Sequence, residues 1–199
     1  MTDQTDQSRR NFLYVAAGGM GAVAAGAAVV PFLGSMLPAA DTLAASKTEY
    51  DVATVQAGQL VVIQWQGKPV FVVNRTPEYL AEVDGHDDML KDPDSKHIEA
   101  VSAEWMDTPE KRKYRAIKPE YLIVVASCTH LGCIPLFKPT KGRKDWGDSV
   151  PENWPGGWHC PCHGSLYDIS ARVIKGSPAP DNLHLMPYKY LTDTKVLIG

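Results

Sequence analysis

From Phe12 to Ala40 the chain carries no Asp, Glu, Lys or Arg, and no other feature narrows its possible folds so far. At about 1.5 Å per residue, a helix over that stretch reaches roughly 43 Å, beyond a bilayer core of about 30 Å. A cleaved signal peptide has a shorter apolar core, about 7–15 residues, so an uncleaved membrane anchor fits better. Small residues at Ala39-Ala40 and Ala44-Ala45 could mimic a cleavage site and argue the other way. Pro31 need not end the span, because a helix can kink near its exit. Gly18, Ala22 and Gly26 fall on one helix face and would let another helix approach in lipid, although Ala and Gly are simply abundant here.

Ser8-Arg9-Arg10-Asn11-Phe12-Leu13 places paired arginines directly before the apolar run, the arrangement of a twin-arginine export signal. Positive flanks stay cytoplasmic, so residues after Ala40 lie outside, on the periplasmic side of a bacterial inner membrane. The expected organisation is a cytoplasmic segment 1–11, a single-pass anchor 12–37 in contact with lipid, a hinge 38–47 and an exported domain 48–199. Asp41 to Lys47, mostly small and polar, is either a passive linker or a tether that lets the domain swing.

The exported domain is long enough for one sizeable core. With a net charge of −3 and a pI near 6.0, the chain lacks the basic footprint of a nucleic-acid binder. A hydrophobic fraction of 44% is too high for a disordered chain. Leu60 to Trp65 and Val70 to Val73 are β-branched runs around Gln66-Gly67-Lys68-Pro69, a hairpin signal. Thr76-Pro77-Glu78 and Thr108-Pro109-Glu110 each combine a cap residue, a proline and an acid, the start of a short helix. The polar stretch from Asp84 to Tyr114 reads as a helix-and-loop insertion on the surface. Tyr121 to Ala126 is a buried strand leading into the first cysteine, and Tyr188 to Leu191 with Lys195 to Ile198 forms a closing hairpin. The expectation is a mainly β, antiparallel domain.

All four cysteines lie in two short segments, Cys128-Thr129-His130-Leu131-Gly132-Cys133 and Cys160-Pro161-Cys162-His163-Gly164-Ser165. Two disulfides are the plainest reading of an exported domain, but they leave a histidine beside each pair unexplained. A Cys2His2 zinc site explains the histidines and uses only two of the cysteines. A third reading takes one Cys and one His from each segment as metal ligands and joins the other two cysteines in a disulfide.

That pattern resembles the Rieske family, in particular the iron–sulfur subunits of ubiquinol–cytochrome c reductases (cytochrome bc complexes). Both segments match the family's two boxes without a change, and Gly176-Ser177-Pro178-Ala179-Pro180 matches its proline loop. The resemblance implies a [2Fe–2S] cluster in a cluster-binding part near 126–182, with Cys128 and Cys160 on one iron and His130 and His163 on the other. It implies a Cys133–Cys162 disulfide, favoured by an oxidising compartment. It also implies that the Ser165 hydroxyl donates to a bridging sulfide and the Tyr167 hydroxyl to a cysteine sulfur, both raising the potential. His159 stands where the family commonly has an apolar or aromatic residue, and a packing role is expected for it. His86, His97 and His184 are read as solvated or core histidines. Ala171 takes a glycine position, Ser177 lengthens the proline loop by one residue, and Ile134 to Gly157, including 138–157, is a longer surface excursion than compact members carry.

By the same resemblance, the chain is the electron-transfer subunit of a respiratory, proton-translocating quinol–cytochrome c oxidoreductase. His163 would hydrogen-bond ubiquinol at a site built largely by cytochrome b. Leu131 and the loop of Gly176, Pro178 and Pro180 would shield the cluster and dock the domain. Movement about the hinge would carry the electron to a c-type cytochrome. The alternatives are the small Rieske subunit of an arsenite oxidase and a non-redox module held by disulfides or zinc.

Overall fold

The computed structural model describes residues 2–37, 39, 42, 46–97 and 105–199. The hinge expected over 38–47 and the middle of the 84–115 insertion lie largely outside the described residues. The contact pattern separates two units, Met1–Ala44 and Ala45–Gly199.

The first unit contains the long helix α1 (Thr2–Gly34). It begins within the polar head, earlier than the expected anchor, and runs past Pro31 to end at Gly34. A proline removes one backbone donor but does not stop a helix close to its end. Asp6–Gly34 is long and apolar enough to cross a membrane, and an 18-residue window within it has a mean hydropathy of 1.8. Phe12, Leu13, Val23, Val30 and Phe32 are all exposed on it, as a lipid-facing helix requires.

The second unit holds three small antiparallel sheets. Strands β2 (Leu60–Trp65), β3 (Lys68–Asn74) and β4 (Tyr121–Val125) form the central one. Trp65 pairs with Lys68 across the Gln66-Gly67 turn, where both residues take positive φ, 48° and 73°, as a tight hairpin of this hand demands. Successive residues of β3 and β4 point to opposite faces. Phe71, Val73, Leu122 and Val124 therefore enter one core with Cys128, Trp158, Cys160 and Tyr167. Val70, Val72, Ile123 and Val125 enter another with Met186, Tyr188, Val196 and Ile198. Both faces are covered, which is why β4 reads as an unbroken apolar run.

The second core is closed by β1 (Thr48–Asp51), β8 (Tyr188–Tyr190) and β9 (Lys195–Ile198), in the order β1-β9-β8. The first is closed by β5 (Leu136–Lys138), β6 (Gly157–His159) and β7 (Leu166–Asp168). Two short helices, α2 (Pro77–Ala81) and α3 (Pro109–Tyr114), start where expected, capped by Thr76 and Thr108.

Two expectations of surface position need correction. Within the insertion His86, Leu90, Asp92, Ser95 and Met106 are buried. Leu90 forms a β-bridge with Ile174, while Lys91 N donates to Val173 O and Lys175 N to Met89 O. The excursion before β6 buries Val150 and Trp154 in a third small core with Leu90 and Ile174. Each segment is polar on average, but Leu90 of one meets Val150 and Trp154 of the other in this core, while Met106 enters the core beside the cysteines. His86 is a core histidine, and His97 is exposed.

Candidate metal centre

Two knuckles built on the same hydrogen-bond frame form the site. In the first, which follows β4, Cys128 N donates to Cys133 O and Gly132 N donates back to Cys128 O, both at 2.8 Å. The second is the connection between β6 and β7, where Cys160 N donates to Ser165 O at 2.7 Å and Gly164 N to Cys160 O at 3.0 Å. Gly132 and Gly164 occupy the same place in the two frames at φ of 83° and 76°, a left-handed conformation that penalises any other residue there. The frame folds each loop back on itself.

A disulfide between Cys133 and Cys162 clasps the knuckles. Cys128 and Cys160 remain as free, buried thiols. The rings of His130 and His163 meet edge to face with centroids 4.8 Å apart. His163 is exposed and His130 half-buried, and Nδ1 of His130 is buried with no hydrogen-bond partner. An orphaned nitrogen of that kind costs about 1–3 kcal/mol unless something binds it. Cys160 Sγ also lies within 4.8 Å of both disulfide sulfurs, but those two are already spent on each other.

A hydroxyl group lies against the Cys128 sulfur. The Tyr167 hydroxyl is 3.1 Å from Cys128 Sγ and accepts from Thr129 N at 3.2 Å. Thr129 commits its own hydroxyl proton to Asp181 O at 2.6 Å, so the phenol proton has two acceptors, Cys128 Sγ at 3.1 Å and Thr129 Oγ1 at 3.3 Å. Burial pushes the Tyr167 phenol well above its ordinary range and keeps it a donor. Burial alone would raise the Cys128 thiol, but hydrogen bonding, first from Tyr167 and later from Ser165, brings it below its usual value. Cys160 is raised, mainly by burial. Ser165 Oγ accepts from Ala179 N at 3.0 Å.

Leu131 is 70% exposed, and Ile134 and Leu136 are about half exposed, an apolar surface on the chain that runs out of the first knuckle. Pro178 and Pro180 are exposed with Ala179 buried between them. His159 is half-buried in β6, and burial lowers its imidazole. Sequence reasoning gave no role to Thr129, Ile134 or Leu136. Thr129 was marked only by its place beside Cys128, and nothing in an isolated isoleucine or leucine signals exposure.

Behind the site, Asp168 at the end of β7 is fully buried. Its Oδ1 accepts from Ser170 N and Arg172 N, and its Oδ2 from Arg172 Nε at 2.8 Å. His86 Nε2 lies 3.2 Å from Oδ2. Arg172 also donates to Asp87 Oδ1 and Val83 O, which ties the insertion to the cluster-side sheet.

Paired knuckles, each offering one buried thiol and one imidazole, define a metalloprotein of mixed sulfur and nitrogen ligation. Residues 47–188 match the family model of the Rieske [2Fe-2S] domain, and residues 1–39 match one described as "Ubiquitinol-cytochrome C reductase Fe-S subunit TAT signal". The chain is 44% identical to the ubiquinol–cytochrome c reductase iron–sulfur subunit of Allochromatium vinosum, over 98% of this chain and 89% of that one. The subunit of the same name in Blastochloris viridis is 40% identical over 100% and 96%. That of Rhodospirillum rubrum is 43% identical over 98% and 93%. The chain belongs to this family of Rieske iron–sulfur subunits, and its cofactor is a [2Fe–2S] cluster. The relatives favour the reductase reading over the arsenite oxidase alternative. The donor set fits the cluster: two free thiols, two imidazoles, and a buried ring nitrogen lacking any other partner.

Proposed function

We propose that this subunit takes an electron and a proton from ubiquinol and passes the electron to a c-type cytochrome, with Cys128 and Cys160 holding one iron and His130 and His163 the other. The observation that carries the reading is the joint placement of two free buried thiols and the edge-to-face His130–His163 pair. When bound, the cluster accepts a single electron, and its neutral imidazole ligands give it a higher potential than four thiolates would. His163, on the exposed side, would accept a hydrogen bond from the quinol hydroxyl on the ring nitrogen not used by iron and take up that proton there. Leu131, Ile134 and Leu136, with Pro178 and Pro180, exclude water by packing against cytochrome b, the kind of contact that exposed apolar clusters mark. Tyr167 and Ser165 direct protons at the sulfurs and so favour the added negative charge. Residues 12–37 anchor the chain in the bacterial inner membrane, 1–11 stay cytoplasmic, and the domain from about residue 48 faces the periplasm.

The test is an electron paramagnetic resonance spectrum of dithionite-reduced membranes, with and without a quinol-site inhibitor. A Rieske signal that changes with the inhibitor is expected. A spectrum indifferent to the inhibitor overturns quinol docking, and zinc in place of iron overturns the centre itself.

A further inference from the structure

The proline loop is held from outside its own turn. Lys91 Nζ donates to Ser177 O at 2.8 Å and to Ala179 O at 2.7 Å. These two carbonyls flank the Pro178–Ala179 peptide, and the N–H of that peptide donates to Ser165 Oγ at 3.0 Å. Lys91 is itself fixed, because its backbone N donates to Val173 O and its neighbour Leu90 bridges to Ile174. The loop is also stitched to β7, where Leu166 N donates to Ser177 Oγ at 3.0 Å.

We propose that Lys91 is a positioning residue for the metal centre: by gripping both carbonyls it seats the Ala179 N–H on Ser165 Oγ, and so leaves the Ser165 proton aimed at cluster sulfur. Ser165 is fully buried in the second knuckle, where its carbonyl accepts from Cys160 N at 2.7 Å. With the Ala179 N–H on its oxygen, the hydroxyl is oriented rather than free to rotate among acceptors. The ammonium adds a positive charge that favours reduction, but the Lys91 side chain is exposed. Solvent and salt weaken that contribution, so the geometric role is the larger one. The inference rests on the reading of Ser165 as a donor to the cluster.

Full-length Lys91→Met, Lys91→Arg and Ser165→Ala variants in the membrane complex separate the possibilities. For Lys91→Met the equilibrium constant for reduction is expected to fall about threefold, or about 28 mV at 59 mV per tenfold for one electron. The Ala179 amide should exchange hydrogen about tenfold faster, as loss of roughly 1.4 kcal/mol of local protection implies. Lys91→Arg should retain both properties, and Ser165→Ala should lower the potential without affecting Lys91. A lowered potential in Ser165→Ala with none in Lys91→Met overturns the role of Lys91 alone. An unchanged potential in Ser165→Ala overturns the donor reading and this inference with it. If Lys91→Met assembles no cluster, Lys91→Gln replaces it, and equal potentials in Lys91→Gln and Lys91→Arg overturn the proposal.

Discussion

Tyr167 shows how a single hydroxyl acquires a direction. Thr129 N fills one lone pair of the phenol oxygen, and the phenol proton has Cys128 Sγ at 3.1 Å and Thr129 Oγ1 at 3.3 Å as acceptors, of which the sulfur gains as its negative charge grows. A hydrogen bond to a charged acceptor is worth about 1.5–3 kcal/mol, and part of that difference appears only when the centre gains negative charge. Tyr167→Phe should therefore lower the reduction equilibrium about tenfold, about 59 mV for one electron, in a redox titration followed by paramagnetic resonance. A potential equal to that of the wild type would remove Tyr167 from the tuning groups. Ala171 makes a different point. It sits at φ 62° and is fully buried in the core beside the knuckles. A Cβ in that conformation costs about 1–2 kcal/mol. Ala171→Gly relieves this but loses roughly 0.8 kcal/mol of methyl burial and adds about 0.5–1 kcal/mol of unfolded-state entropy. The variant should change the unfolding free energy by less than about 1 kcal/mol in either direction, measured by denaturant titration.

At the scale of elements, the knuckles carry the chemistry and the disulfide keeps them in register. Cys133 and Cys162 are 29 residues apart in sequence, and closing a loop of that length is worth about 3–4 kcal/mol by chain entropy. The double variant Cys133→Ala with Cys162→Ala should lose about that much stability and retain iron poorly on dilution. Undiminished iron content would show that the frame hydrogen bonds suffice. These elements were legible because their determinants are local. The two boxes give thiol, imidazole and glycine in one short run each, and Thr76-Pro77 and Thr108-Pro109 announce helix starts by capping chemistry. The insertion and the excursion before β6 were not legible as buried, because their partners are distant in sequence. His86 stays undecided between surface and core until Asp168 is placed beside it, and Trp154 finds Leu90 only once the chain has folded. Lys91 was missed for the same reason, since its acceptors are backbone carbonyls that no composition reveals.

Across the whole domain, the central sheet separates a structural core from the one that supports the metal centre, and Asp168 joins the latter to the insertion. Burial alone would push the Asp168 carboxyl up, yet Arg172 and then His86 more than reverse this and hold it below its usual range, with Arg75 and Arg115 also charged nearby. The unfolded chain thus takes up the proton first as pH falls. The contribution is complete above the ordinary carboxylate value of about 4 and is lost below it. The unfolding midpoint should stay flat from neutrality to about pH 5 and then drop. Asp168→Asn, which leaves Arg172 unpaired in the interior, should cost about 3–5 kcal/mol at neutral pH and flatten the acid limb. An unaltered acid limb in that variant would assign the effect elsewhere. The closeness of Cys160 to the clasp, within 4.8 Å of both of its sulfurs, bears on how the molecule has to be made. A thiolate at that range can attack a cystine and trade places with one of its halves. Iron that claims Cys160 shuts this route. A chain that meets oxidant while empty is therefore expected to scramble its pairings, and filling has to precede oxidation.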